Sequence, residues 1–291
     1  MYNLTSVMWV KDETPYIPEW LEFHLLQGVD HFILYNDGST DGIYEALDPY
    51  IVDNILEIRE FPEVLEPAPK MGLPTKCFWV MDYCIQEQAG KTKWLFYHAT
   101  DEFLFTTNGE SLPIFLSNYD HVGALGVEWE QFSSSNHIKK PKGLAIENYT
   151  ATFEDTLHHI KTIFRPEVAV CNNGTTHSVI INNGFVPVNE RFFPLNQSFN
   201  NYDPGFEKIK LHHYGVKSRE EFEIKQNKGY LDRPGSRHVE WMKDTWYRFE
   251  KEPMKRSECH DLVSFTDIVR NAIIDRYAGK EHLLEKYNIS Y

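Results

Sequence analysis

Four short apolar runs in the first hundred residues, LTSVMWV (4–10), HFILYN (31–36), NILEIREF (54–61) and KWLFYHA (93–99), alternate with segments of helical pattern. YIPEWLEFHLLQGV (16–29) predicts a helix with Trp20, Phe23, Leu26 and Leu25 turned inward. IYEALDPY predicts a short helix, and TKCFWVMDYCIQEQ a longer one after a proline-rich loop. Strands apolar on both faces, separated by helices, predict an α/β fold: a mainly parallel sheet flanked by helices. Ligands of such sheets bind beyond the carboxyl ends of the strands. Three polar clusters fall at those ends: Lys11-Asp12-Glu13, Asn36-Asp37-Gly38-Ser39 and Thr100-Asp101-Glu102.

The middle of the chain is less regular. HVGALGVEWEQF (121–132) predicts a strand followed by the polar loop SSSNHIKKPKG. Further strands are expected in HHIKTIFRPEVAV (158–170), THSVIINN (176–183) and EKIKLHHYGV (207–216), with a charged helix in SREEFEIKQNKG (218–229). The last sixty residues are mostly helical in pattern. No internal repeat or flexible linker interrupts the chain, so one compact domain with a helical tail is expected.

The net charge of −14 argues against nucleic acid as a partner, because the mean field repels phosphates. A phosphate-bearing ligand would need a local cation, either a Lys/Arg cluster or a metal. The cysteines, Cys77, Cys84, Cys171 and Cys259, form no CxxC pair. Cys77 and Cys84 share one face of the predicted helix and read as packing residues. No apolar run is long enough to span a bilayer, and MYNLTSVMWVKDE lacks the pattern of a signal peptide. A cytoplasmic protein without an intrinsic membrane segment is expected.

Two adjacent carboxylates inside KWLFYHATDEFLF pose a physical problem, since a buried unpaired carboxylate is costly. On strand parity Ala99, Asp101 and Phe103 share one face, and His98, Thr100 and Glu102 the other. Asp101 then reads either as an oxygen ligand for a hard cation or as a turn residue. YNDGSTDG resembles the DxDG[ST] motif of haloacid-dehalogenase-type phosphatases, but Tyr35 stands where their nucleophilic aspartate would be. Asp41 reads as a helix cap. In KLHHYGVKS, parity puts His213 with Ile209 and Leu211, beside the cationic stretch Lys217, Arg219, Lys225 and Lys228. Those lysines suit either a diphosphate or a solvated helix face with i,i+4 pairs.

Five stretches in series, VMWVKDETPYIPEWLEFHLLQGVDHFILYNDGSTDG, WLFYHATDEFL, WEQFSSSNHIKKPKGL, KTIFRP and HHYGVKSREEFEIK, resemble the motifs of A-type-fold glycosyltransferases of the family-92-like group. The resemblance spans roughly residues 4–229. It implies a catalytic domain over 1–230, with a nucleotide-binding half (about 1–105) and an acceptor half (about 106–230). Residues 231–291 would be a helical extension packed on it.

The resemblance further implies transfer of a sugar such as galactose, xylose or glucose from a UDP-sugar donor to a glycan acceptor hydroxyl, with inversion. Lys11, Glu13 and Asp37 would contact base or ribose, Lys217, Ser218 and Lys225 would serve the diphosphate, and Lys76 would also bind the nucleotide donor. Asp101 and His213 would hold Mn2+ or Mg2+, which offsets the charge of the leaving phosphates. Ala99 departs from the family pattern: it replaces the first carboxylate of DxD. Inversion needs a carboxylate base on the acceptor side. Glu130 is the leading candidate, with Asp155 and Asp203 behind it. Trp129, Phe132 and His137 are candidates for the sugar pocket, and Arg165 for the acceptor side or an ion pair. A nucleotidyltransferase lacks support, for want of a glycine-rich phosphate loop. A catalytically silent glycan- or nucleotide-binding protein stays open as the alternative.

Overall fold

The computed structural model describes residues 1–60, 76–153, 159–182, 184–195, 207–228 and 256–291, with the side chains of Lys76, Lys228 and Arg256 outside that description. Its strands are β1 (Tyr2–Val10), β2 (His31–Asn36), β3 (Leu56–Glu60), β4 (Thr92–Tyr97), β5 (Glu102–Thr106), β6 (Ala124–Gln131), β7 (Ala151–Phe153), β8 (Ile160–Phe164), β9 (Ala169–Asn172), β10 (Val179–Ile181), β11 (Pro187–Val188), β12 (Ile209–His213) and β13 (Arg256–Glu258). Its α-helices are α1 (Ile17–Leu26), α2 (Ile43–Ala46), α3 (Asp48–Val52), α4 (Lys76–Gln88), α5 (Leu112–Ser117), α6 (Ala145–Asn148), α7 (Arg219–Lys228), α8 (Thr266–Arg276) and α9 (His282–Lys286).

The main sheet runs β3-β2-β1-β4-β8-β6-β12-β5, with β11 beside β6. Strands β3, β2, β1 and β4 are all parallel. Beyond β4 the sheet is mixed: β8 runs antiparallel to β4 and β6, and β12 parallel to β6 but antiparallel to β5. The parallel half is therefore the part that the strand–helix alternation announced. Its two faces are covered separately. Leu4, Met8, Phe32 and Leu34 pack with Trp20 and Phe23 of α1, while Val7, Ile33 and Tyr35 pack with Val80, Met81 and Cys84 of α4. Cys77 and Cys84 are both buried, as one-face packing residues should be.

Two expectations need correction. Leu26 is 42 % exposed; the inward stripe of α1 runs through Ile17, Trp20, Leu21 and Phe23, and it is Leu25 that packs against the core. The helix stops because Gly28 takes φ +90°, and a Cβ there would lie 2.9 Å from Pro113 Cδ. Secondly, KWLFYHATDEFLF is not one strand. β4 ends at Tyr97, the Glu102 N–H donates to the Ala99 carbonyl at 3.1 Å, and the chain leaves to form β5 at the far end of the sheet. Strand parity therefore does not carry across 98–101.

The described part of the C-terminal stretch is not purely helical. β13 pairs antiparallel with β7, and α8 packs on α1. Arg276 of α8 donates to the buried Glu22 of α1 at 3.0 Å and also pairs with Asp53. Residues 231–255 of the expected extension lie outside the described residues.

Candidate active site

The loops after β1 and β2 are stitched together by short polar side chains, which is why KDET and NDGSTD are so polar. The Thr40 N–H donates to Asp12 Oδ1 (2.7 Å), the Asp12 N–H to Ser39 Oγ (3.0 Å) and the Ser39 N–H to Asn36 Oδ1 (2.9 Å). Asp41 does not cap α2, whose N-cap is Gly42; it accepts the Thr14 N–H at 2.8 Å and so ties the second loop to the first. Lys11, Glu13 and Asp37 lie half-buried along this rim. Thr100 Oγ1 donates to Glu13 Oε2 at 3.4 Å, joining the rim to the turn that carries Asp101.

Asp101 is 7 % exposed, yet it is ionised and paired. Lys225 Nζ of α7 donates to Asp101 Oδ2 at 2.7 Å, and His213 Nε2 at the end of β12 lies 3.7 Å from Oδ1. Burial pushes the carboxyl up, but Lys225, His213 and Lys217 outweigh it and hold it far below the usual carboxylate range. Burial likewise drives His213 down, to about 4, so near neutral pH it is an uncharged imidazole. Its ring lies 4.2 Å from Trp129, which also meets His177 (4.7 Å) and His159 (5.5 Å). One wall of the site is thus aromatic and imidazole, a surface suited to a sugar or base face. Glu102 turns away from Asp101: it accepts the Ala99 N–H at 2.7 Å and sits 3.5 Å from Lys161.

Lys217, with φ 52°, sets its ammonium 3.4 Å above the Tyr16 ring, at the amino end of α7. Ser218 is fully buried, and its hydroxyl is spent on a capping box. The Glu221 N–H donates to Ser218 Oγ (3.2 Å) and the Ser218 N–H to Glu221 Oε2 (3.2 Å), while Ser218 Oγ also donates to Glu221 Oε2 (2.5 Å). Glu221 also accepts from the Tyr16 and Tyr149 hydroxyls. The structure therefore places Ser218 as the cap that orients Lys217 and Lys225, not as a group facing an open site.

Among the described residues, Asp101 and His213 are the two expected metal ligands that converge, and the Lys225 ammonium stands on Asp101 Oδ2. A Mn2+ or Mg2+ held here would take its remaining oxygens from the diphosphate and water, and would have to displace that ammonium. Glu130 is not brought to Asp101. In the β6–β12 register Glu130 pairs with His212 and Gln131 with His213, so Glu130 lies on the opposite face of the sheet from His213. Asp155 and Asp203 lie outside the described residues, as does the side chain of Lys76 at the start of α4. Phe132 is core, packed on His212 and Tyr214, while His137 Nε2 lies 3.1 Å from the Asn148 carbonyl. Arg165 donates to the Asp120 carbonyl at 2.8 Å and lies 3.7 Å from Glu167. Reasoning on the sequence missed Tyr16, His159, Lys161 and His177 at this site. No spacing marks them, although His159 and Lys161 flank the β8 start that meets the end of β4.

The profile of Glycosyltransferase family 92 matches residues 5–193. The chain belongs to glycosyltransferase family 92. A family 92 protein of Oryza sativa subsp. japonica is 25% identical over 161 residues, covering 54% of this chain and 26% of that protein. A galactan beta-1,4-galactosyltransferase of Arabidopsis thaliana is 23% identical over 121 residues, covering 40% of this chain and 23% of that protein. The matches thus span about a quarter of these relatives' length. Staphylococcus aureus TarS is a solved structure with 12% identity and a TM-score of 0.41, covering 86% of this chain and 73% of that one. The family 92 match ends before β12, so His213, Lys217 and Lys225 lie beyond it. Its sheet and flanking helices are of the α/β, A-type class expected from the sequence. Among the described residues no helix is long and apolar enough to cross a membrane.

Proposed function

We propose that this family 92 chain transfers a hexosyl or pentosyl group (galactose, xylose or glucose) from a UDP-sugar to a glycan hydroxyl, with inversion at the anomeric carbon. The observation that carries the reading is the buried Asp101 carboxylate ringed by Lys225, Lys217 and His213, where the parallel half of the sheet ends. Two lysine ammonium groups thus stand near the carboxyl ends of the parallel strands, where ligands of such sheets bind. The nucleotide lies along the Lys11, Glu13 and Asp37 rim, in the half of the chain up to about residue 105. The ammonium groups of Lys225 and Lys217 face the diphosphate and stabilise the charge that gathers on it as the sugar departs. This division of labour asks for no resident Mn2+ or Mg2+, in keeping with Ala99 and with the ammonium on Asp101. Trp129 and His213 form the wall beside the sugar. With Glu130 behind β12, the acceptor's proton passes to Asp155, four residues before His159 in the chain, or to Asp203. The four free thiols accord with a reducing, cytoplasmic setting for this work.

Calorimetric titration of UDP into the protein, with Mn2+ and then with EDTA, tests the reading, on wild type and Asp101→Asn. Binding that survives EDTA is expected, and it should not weaken in the variant, where Lys225 is released from the carboxylate. Binding only with Mn2+ would restore the metal-dependent form, and no UDP binding under any condition would sink the UDP-donor reading. A second reading, a catalytically silent nucleotide- or glycan-binding protein, is favoured by Ala99 and by the occupied Asp101. It predicts UDP binding without release of UDP from any donor sugar.

A further inference from the structure

The back of β12 carries a second cluster. His212, facing away from His213, meets Glu130 of β6 and the segment after β13: its Nε2 lies 3.1 Å from Glu130 Oε2, 3.8 Å from Asp261 Oδ2 and 3.9 Å from Cys259 Sγ. All four donor atoms lie within 4.8 Å of one another. In tetrahedral zinc, bonds of ~2.0–2.3 Å separate the ligand atoms by ~3.3–3.8 Å. The three measured separations from His212 bracket that spacing, so a contraction of less than an ångström or so completes the shell.

The donor set is one imidazole, one thiol and two carboxylates, which suits a borderline cation rather than Mg2+ or Ca2+. His212 is prepared for the task. It is 1 % exposed, packed between Phe105 and Phe132, and its Nδ1 lies 3.4 Å from the Tyr214 hydroxyl, which leaves Nε2 as the nitrogen facing the other donors. A partner on the second ring nitrogen is the usual support of a metal-bound histidine. Glu130 Oε2 is buried and has His212 Nε2 at 3.1 Å and Lys210 Nζ at 3.6 Å as its ionisable neighbours. One group competes: Lys210 Nζ lies 2.6 Å from Asp261 Oδ2 and 3.6 Å from Glu130 Oε2. Lys210 and Asp261 also line an open cleft of about 480 Å³, bounded by Phe105, Glu207 and Phe265, into which the ammonium can swing.

We propose that Glu130, His212, Cys259 and Asp261 bind one divalent cation of the zinc type. The ion ties the segment after β13 to the β6–β12 strand pair and is independent of the nucleotide site on the other face. Cobalt titration of the full chain tests this directly. One equivalent of Co2+ should give a thiolate-to-cobalt charge-transfer band and the visible bands of a tetrahedral site, both erased by Zn2+. Cys259→Ser should lose the charge-transfer band, and His212→Gln should weaken binding by at least the ~10- to 100-fold that loss of an outer partner costs. Lys210→Met removes the competitor, so it should bind Co2+ more tightly than wild type, and Zn2+ should raise its melting temperature. Circular dichroism of each variant separates loss of ligand from loss of fold. Absence of the thiolate band from folded wild type, or Co2+ binding indifferent to both Cys259→Ser and His212→Gln, would overturn the proposal and leave an ion-pair cluster.

Discussion

Replacing Lys225 with methionine tests the electrostatics of the nucleotide site most directly. In the folded protein the Asp101 side chain is 10% exposed and Lys225 29%, with 2.7 Å between the charged atoms. Removing one partner of a buried pair costs ~3–5 kcal/mol, because the remaining charge is stranded. Lys217 stays near Asp101 and recovers part of that, so ~2–3 kcal/mol is expected. The sign follows from the carboxyl's low folded value. Its pairing stabilises the protein above the ordinary aspartate range and is lost as pH falls through the folded value, so the cost of Lys225→Met is present in full at pH 7.5. Urea unfolding of wild type, Lys225→Met, Asp101→Asn and the double variant isolates the coupling. The double variant should be more stable than the sum of the two single losses allows, by ~1–3 kcal/mol. Loss of a charge-assisted bond of ~1.5–3 kcal/mol should also weaken UDP binding about tenfold or more. If Lys225→Met costs less than ~0.5 kcal/mol, or the two losses simply add, Asp101 is not held by this lysine and the site reading fails.

Three further outcomes are expected. Arg276→Ala strands the buried Glu22 and frees α8 from α1, so urea unfolding should register a loss of ~3 kcal/mol or more; a loss within the noise would mean that α8 docks by apolar contact alone. Ser218→Ala removes the cap of α7 and should cost ~1 kcal/mol while shifting UDP affinity less than about twofold; a large affinity loss would give the hydroxyl a ligand role instead. Burial lowers His24 and His177 to about 3 and His213 to about 4, so the unfolded chain binds protons between those values and 6.5 that the folded chain refuses. Stability should therefore fall as pH drops from 6.5 toward 4, by up to ~1.4 kcal/mol per pH unit per histidine. Glu19, raised to about 7 by burial, acts in the opposite sense together with the raised Asp82 and Glu102. His31, His98, His159 and His212 are lowered by burial as well, and a melting temperature flat between pH 7 and 5 would contradict this balance.

The alternation of apolar strands and amphipathic helices in residues 4–97 settled the parallel half of the sheet. Whether a segment is extended or helical follows from its own periodicity, and in α/β units neighbouring segments pair with little choice. The same locality made Asp101, His213, Lys217 and Lys225 legible as polar residues at strand and helix ends. What the sequence did not carry was their company. Lys225 reaches Asp101 across 124 residues, and Arg276 reaches Glu22 across 254. The break at 98–101, which invalidates parity, is a turn closed by a Glu102 side chain that reads like any strand residue. Glu130, the best-placed base by position in the chain, lies behind β12 because the β6–β12 register pairs it with His212. For the same reason Cys259, with no CxxC partner, gained a histidine and two carboxylates only in three dimensions. Periodicity is a property of one segment, whereas register and face are properties of two that meet, and a one-residue shift in register exchanges every side chain between faces.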